Sequence, residues 1–192
     1  MQPIILASAS PRRAQILKQI GVSFKVVPSN LPEEITDASC SPSEIVKELA
    51  AQKAKHIAGM ISHGLIIGAD TIVVLEGKIL GKPLGPEHAM EMLTLLSGKE
   101  HSVYTGIALL KIPEQKFEVD FSETKVKFRA FSQDEALSYI KTGEPFDKAG
   151  SYAIQGRGAV FVESITGCYF NVVGLPITKL ISMFGDFGVS IW

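Results

Sequence analysis

Residues 65–75 are the stretch that most constrains this chain: apolar almost throughout, broken only by Gly68, Asp70 and Thr71. A run this short, turned back by Glu76, Gly77 and Lys78 towards Ile79 and Leu80, reads as a buried strand entering a hairpin. Helices flank it. Ser41-Pro42-Ser43-Glu44 is a capping box with proline at the first helical position, and predicts a helix reaching about residue 58. Residues 86–96 predict another, stopped at Ser97-Gly98. Upstream, residues 3–7 read as a strand. A helix follows with Ser10 as N-cap, Pro11 at its first position and Gly21 at its end. Residues 22–27 read as a second strand, and residues 28–40 as a polar loop holding Glu33 and Glu34. Downstream, residues 103–111 and 117–129 predict two strands joined by Ile112-Pro113-Glu114-Gln115. Ser132 with Glu135 caps a helix over 132–141, a glycine-rich loop over 150–158 leads to a strand over 159–163, and a last helix covers 176–184. Strands alternate with helices first and pair as hairpins later, which is a mixed α/β fold. Without internal repeat or linker, the chain reads as a single domain over residues 1–192.

The composition narrows the function classes. With 192 residues, 46% hydrophobic and 20% charged, the chain can bury a substantial core. A net charge of −1 gives no basic field, and no basic stripe interleaves with aromatics, so nucleic acid is not an expected partner. The apolar run Ile4-Ile5-Leu6-Ala7 is too short for a signal segment, and nothing approaches the ~18 apolar residues of a membrane helix. A cytoplasmic protein without a membrane partner is expected. Cys40 and Cys168 lack metal-ligand spacing and read as reduced thiols. His56, His63, His88 and His101 likewise show no metal spacing, and Trp192 reads as a packing anchor or a frayed tail.

Four places break the rules of their own elements. Arg12 and Arg13 sit where a helix N-terminus disfavours cations. A phosphate would satisfy them together with the hydroxyls of Ser8 and Ser10, and a solvated basic turn is the alternative. Lys53 falls on the apolar face set by Ile45, Val46, Leu49, Ala50 and Ile57, either snorkelling at its edge or pointing into a cleft. Asp70 interrupts the apolar strand, where a carboxylate is costly unless paired or bound to metal. It is a functional acid, a structural ion-pair member or a loop cap, and Gly68 and Ala69 leave room for close approach. Lys82 lies on the turn Gly81-Lys82-Pro83, gripping phosphate as a point charge or simply exposed. Cations with one or two acids fit metal-assisted phosphate chemistry.

These segments, in order, resemble the Maf family: Ser8-Ala9-Ser10-Pro11-Arg12-Arg13, Glu33-Glu34, Ala50-Ala51-Gln52-Lys53-Ala54, Gly68-Ala69-Asp70-Thr71 and Gly81-Lys82-Pro83. Asp147-Lys148-Ala149-Gly150, Ile154-Gln155-Gly156-Arg157-Gly158 and Gly174-Leu175-Pro176 extend the resemblance over nearly the whole chain. The resemblance implies a mixed α/β fold of two lobes around a deep cleft, similar to inosine-triphosphate pyrophosphatases. It implies a pyrophosphatase that cleaves nucleoside triphosphates between the α- and β-phosphates with a divalent metal, Mg or Mn, and a link to septum formation and cell-division arrest. A homodimer is left open.

Carried over by position, Asp70 matches the catalytic acid that activates water, and Glu34 with Asp70 matches the metal-holding carboxylates. Arg13, Lys53 and Lys82 match phosphate-binding positions, with Ser8 beside them. Arg12, Thr71 and Gln155 match the three positions of the branch acting on dTTP and UTP. The branch acting on 7-methyl-GTP carries Trp in the first turn, Gln after the acid and Glu in the glycine-rich loop, and this chain departs from it at all three. A Gln amide offers both donor and acceptor to a uracil or thymine edge. Pro32 stands where the family often has an acidic residue. The other readings are the same chemistry on a modified nucleotide such as 7-methyl-GTP, or a nucleotide-sensing division regulator acting through protein contacts.

Overall fold

The computed structural model describes residues 2–31 and 40–191. Among these, seven strands form one mixed sheet in the order β2-β1-β3-β5-β6-β7, with β4 paired to β3. Strand β1 (Ile4–Leu6) lies parallel to both β2 (Lys25–Val26) and β3 (Gly64–Leu75). Strand β4 (Lys78–Leu80) is antiparallel to β3, and β7 (Val162–Thr166) is antiparallel to β6 (Lys116–Phe128). Strand β5 (Glu100–Ile112) completes the sheet. The chain divides into two compact units. One comprises Met1–Asp70, Thr105–Ser122 and Gly174–Trp192, and the other Thr71–Tyr104 and Glu123–Val173. Trp192 and residues 32–39 lie outside the described residues, and so does the expected role of Glu34.

In the first unit, helix α1 (Pro11–Gln19) opens with proline at its first position, as its sequence predicts. Ser10 stands at the expected N-cap with an extended backbone, but its side chain makes no capping bond. Its own N–H donates to Ser8 Oγ at 3.2 Å, so a hydroxyl two residues earlier helps to order this helix start. The strand expected over residues 22–27 shrinks to Lys25 and Val26. Its neighbour β1 is only three residues long, which limits the ladder available to an edge strand. Helix α2 (Pro42–Ala58) starts on the expected capping box: Ser41 Oγ accepts from the Glu44 N–H, and the Glu44 carboxylate accepts from the Ser41 N–H at 2.8 Å. Its apolar face covers Ile5, Ile66, Ala108 and Leu110 through Ala50, Ala54 and Ile57.

Two glycines let α2 lie so close. A Cβ on Gly68 of β3 would stand 2.2 Å from the Ala50 carbonyl oxygen, and one on Gly106 of β5 would stand 2.1 Å from that of Val46. Neither obstacle is a flexible side chain, so the helix itself would have to retreat. Gly106→Ala is therefore expected to cost about 1–3 kcal/mol of stability, the range of overpacked cores. A urea midpoint equal to wild type would show that α2 yields freely.

The second unit packs α3 (Pro86–Leu96) and α4 (Gln133–Ile140) over Val73, Leu75, Val103, Val126 and Phe128. Helix α4 carries the expected Ser132–Glu135 capping box. The strand expected over residues 159–163 begins later. Arg157–Phe161 form a 3-10 turn that drives Phe161 into the core, and β7 starts only at Val162. A helix too short to show periodicity in the sequence, α5 (Tyr169–Val173), buries Asn171. The Asn171 Nδ2 donates to the Val103 carbonyl at 2.9 Å and to Thr124 Oγ1 at 3.0 Å. Helix α6 (Ile177–Asp186) closes the chain in the first unit.

His101 sits in the second unit's aromatic core. Its Nε2 hydrogen-bonds the Tyr152 hydroxyl at 2.8 Å, and its ring meets Phe128 edge-on at 4.9 Å. Burial lowers its pKa from 6.5 to about 4. The unfolded chain thus binds a proton over this window that the folded protein refuses. The contribution of His101 to stability should therefore be present above pH 6.5 and fall by about 3 kcal/mol as the pH drops to 4. In His101→Gln the denaturant midpoint should vary less with pH across that window, and an equally steep fall would assign the acid sensitivity to other groups.

Candidate active site

The site begins where β1 ends. Pairing between β1 and β3 runs from Ile4 with Leu65 to Leu6 with Ile67, and continues as the Ala7 N–H bonds the Ile67 carbonyl at 2.8 Å. Beyond that point the first chain leaves as Ser8 to Arg13 and becomes α1, while β3 runs on through Gly68 and Ala69 to Asp70. Both segments thus emerge past the carboxyl end of one parallel pair, the position where open α/β sheets bind ligands.

Three side chains of this region are buried against expectation for their type. Arg13 is 8% exposed. Its Nε donates to the Gly174 carbonyl at 2.8 Å and its Nη1 to Ser8 Oγ at 2.9 Å. Gly174 adopts φ 119°, which only glycine holds without strain. A solvated turn is therefore excluded for Arg13, whereas Arg12 is half-buried. Lys53 and Asp70 are the other two, at 8% and 5% exposed, and they form an ion pair through Asp70 Oδ1. Snorkelling does not describe Lys53. Its stem follows the buried face of α2, and the approach of Ala50 and Ala54 to Gly68 brings the ammonium to the carboxylate two residues further along β3. The acid in the apolar strand and the lysine on the apolar helix face each resolve the other's cost.

The remaining expected residues belong to the second unit. Thr71 follows Asp70 in β3 and is half-buried. Lys82 is exposed on the segment between β4 and α3. That segment is fixed at Gly81, whose carbonyl accepts the Gly150 N–H at 3.1 Å. Gly150 in turn has φ 68° and lies flat on Val73, where a Cβ would meet the valine side chain at 3.0 Å. The Gly81-Lys82-Pro83 turn and the Asp147-Lys148-Ala149-Gly150 segment are thus one local structure. Gln155 is exposed in a different loop of this unit. Two groups escaped the sequence reading: the Gly174 carbonyl that holds Arg13, and Glu144, which anchors the Gln155 loop. A backbone acceptor leaves no trace in residue type beyond the glycine that carries it. Glu144 resembles any exposed turn carboxylate until its donors are seen.

A metal fits this donor set. Mg²⁺ is commonly bound by one or two carboxylates, substrate phosphates and waters rather than by a protein cage. Asp70 offers one such carboxylate. Among the described residues no cluster of three or more potential ligands forms, which that mode of binding does not require.

Fold and site define an α/β protein with a buried acid–lysine pair and a helix start suited to an anion. A family model described as Maf-like protein matches residues 3–187. A protein of Carboxydothermus hydrogenoformans named dTTP/UTP pyrophosphatase is 50% identical over 186 residues, covering 96% of this chain and 98% of its own. One of the same name from Pelotomaculum thermopropionicum is 44% identical over 191 residues, covering 100% of both chains. The chain belongs to the Maf family. The Staphylococcus aureus Ham1 protein shares the fold, with a TM-score of 0.52, 14% identity, and coverage of 97% of this chain and 100% of that one.

Proposed function

We propose that this chain hydrolyses dTTP and UTP between the α- and β-phosphates, releasing a nucleoside monophosphate and pyrophosphate. The observation that carries the reading is the buried Lys53–Asp70 pair, formed by the two residues that break the rules of their own elements. The names of relatives 44% and 50% identical support the substrate.

In the reaction, Asp70 takes a proton from the attacking water as its oxygen bonds to the α-phosphorus. The bond from the α-phosphorus to the bridging oxygen breaks, and the electron pair leaves with pyrophosphate. Lys53, hydrogen-bonded to Asp70 Oδ1, fixes the direction of the carboxylate. Arg13, Lys53 and Lys82 offset the charge that grows on the leaving group, and Ser8 holds the Arg13 guanidinium in place. Glu34 and Asp70 would hold the divalent cation, Mg²⁺ or Mn²⁺, which would neutralise phosphate charge. Arg12, Thr71 and Gln155 select the base. We read residues 1–192 as one functional domain, supported by a family match over residues 3–187, and as a cytoplasmic enzyme because its substrates are intracellular nucleotides.

The test is pyrophosphate release from dTTP, UTP, CTP and 7-methyl-GTP with Mg²⁺ or Mn²⁺. The highest kcat/KM is expected for dTTP and UTP. A preference for 7-methyl-GTP would overturn the base assignment, and orthophosphate in place of pyrophosphate would overturn the cleavage position.

A further inference from the structure

One carboxylate without an assigned role organises the loop that carries Gln155. Glu144 opens a 3-10 turn (Glu144–Asp147) just after α4. Its Oε2 accepts the Arg157 N–H at 3.0 Å. Its Oε1 accepts the Gly158 N–H at 3.1 Å and the Tyr139 hydroxyl at 2.8 Å. The same Tyr139 oxygen accepts the Ala153 N–H at 3.2 Å. The loop is therefore held on both sides of Gln155, at Ala153 before it and at Arg157 and Gly158 after it. Gly156 is the gap through which the carboxylate reaches, since a Cβ there would stand 2.3 Å from Glu144 Oε2. Gly158 is also tight, with a Cβ position 2.8 Å from the Tyr139 hydroxyl. Burial opposes ionisation of Glu144. The two backbone N–H groups, the Tyr139 hydroxyl and Lys148 outweigh it, and the carboxyl is held below its ordinary value.

The chemistry of an amide explains why such a clamp matters. A Gln side chain carries a donor and an acceptor and can rotate to exchange them. Turned one way it pairs with the acceptor–donor edge of uracil or thymine, and turned the other way it pairs with the donor–acceptor edge of cytosine. The amide alone therefore discriminates little. Discrimination needs the backbone beneath it held still, so that its surroundings favour one orientation.

We propose that Glu144 is a positioning residue for base selection, fixing the backbone of the 153–158 loop so that Gln155 presents one face of its amide to the pyrimidine. The inference rests on the pyrophosphatase reading above and on Gln155 as a base-reading residue. It adds that the UTP-over-CTP preference is set by a carboxylate that does not touch the nucleotide.

The experiment compares kcat and KM for UTP and CTP in wild type, Glu144→Gln, Tyr139→Phe, Gln155→Ala and the double variant Glu144→Gln/Gln155→Ala. Glu144→Gln replaces an acceptor by an NH₂ group that faces a donor. It should lower kcat/KM for UTP by about tenfold, the scale of one lost charged hydrogen bond. The loss should appear mainly in KM. CTP should change less, so the UTP:CTP ratio collapses. Tyr139→Phe, which keeps the carboxylate and its two backbone donors, should shift the ratio the same way by a smaller factor. It decides the matter if Glu144→Gln does not fold. In the Gln155→Ala background, Glu144→Gln should move the ratio no further. An unchanged ratio in a folded Glu144→Gln or in Tyr139→Phe, or a full additional shift in the double variant, overturns the inference while wild-type turnover stands. Wild-type protein that releases no pyrophosphate from UTP overturns the function and the inference with it.

Discussion

Asp70→Asn should lower the rate of pyrophosphate release by about a thousandfold or more, near the middle of the range for a positioned general base. Asparagine keeps the shape of the side chain and one carbonyl oxygen that Lys53 can meet. It loses the charge and the basicity, so it can orient a water but cannot take its proton. Substrate affinity should fall much less than kcat, because Arg13, Lys82 and the helix start are untouched. Stability should fall too. Lys53 is 8% exposed and would face a neutral amide in place of its carboxylate partner. Removing one member of a buried ion pair costs about 3–5 kcal/mol where no water can reach it, and less where the remaining charge finds solvent. The measurement is single-turnover pyrophosphate release beside a thermal melt and dTTP binding. A folded Asp70→Asn that binds dTTP and turns over at the wild-type rate would remove Asp70 from the chemistry.

Much of the fold was legible because local chemistry and tertiary structure agree. The capping boxes at Ser41 and Ser132 gave true helix starts, and the apolar run after Gly64 gave a true strand. Disagreement came where neighbours decide. Ser10 stands at the N-cap as its residue type suggests, yet its side chain makes no capping bond, and its own N–H goes to the Ser8 hydroxyl that also accepts from Arg13. Residues 22–27 have strand character, but the short β1 leaves them little to pair with. The strand near Val162 starts late because the Glu144 carboxylate holds Arg157 and Gly158 in a turn. In the site, single residues were visible as violations, Lys53 on an apolar face and Asp70 in an apolar strand. That they answer one another was not visible. The pairing depends on how closely α2 approaches β3, and that distance is set by Gly68, a residue whose role is to be small.

Lys53→Met should have the largest effect on stability, about 3–5 kcal/mol, because it leaves the Asp70 carboxylate, 5% exposed, without the ammonium that offsets its burial. Methionine matches the length and apolar character of the lysine stem, so packing against β3 changes little and the loss reports the charge. A carboxylate is the worse group to strand here. It sits in the middle of β3 on a short side chain, whereas a lysine can move its ammonium several ångströms. Turnover should fall as well, since Asp70 loses the group that orients it and the leaving group loses a cation. The double variant Lys53→Met/Asp70→Leu separates the two effects. With both charges replaced by apolar groups of similar volume, stability should recover most of what Lys53→Met lost, while activity stays absent. Chemical denaturation of Lys53→Met, Asp70→Leu and the double variant closes the cycle. Recovery would mean that the pair is retained for its chemistry at a cost the fold could avoid. If the double variant is as unstable as the sum of the singles, the cost lies in packing between α2 and β3, and the pair has no energetic coupling of its own.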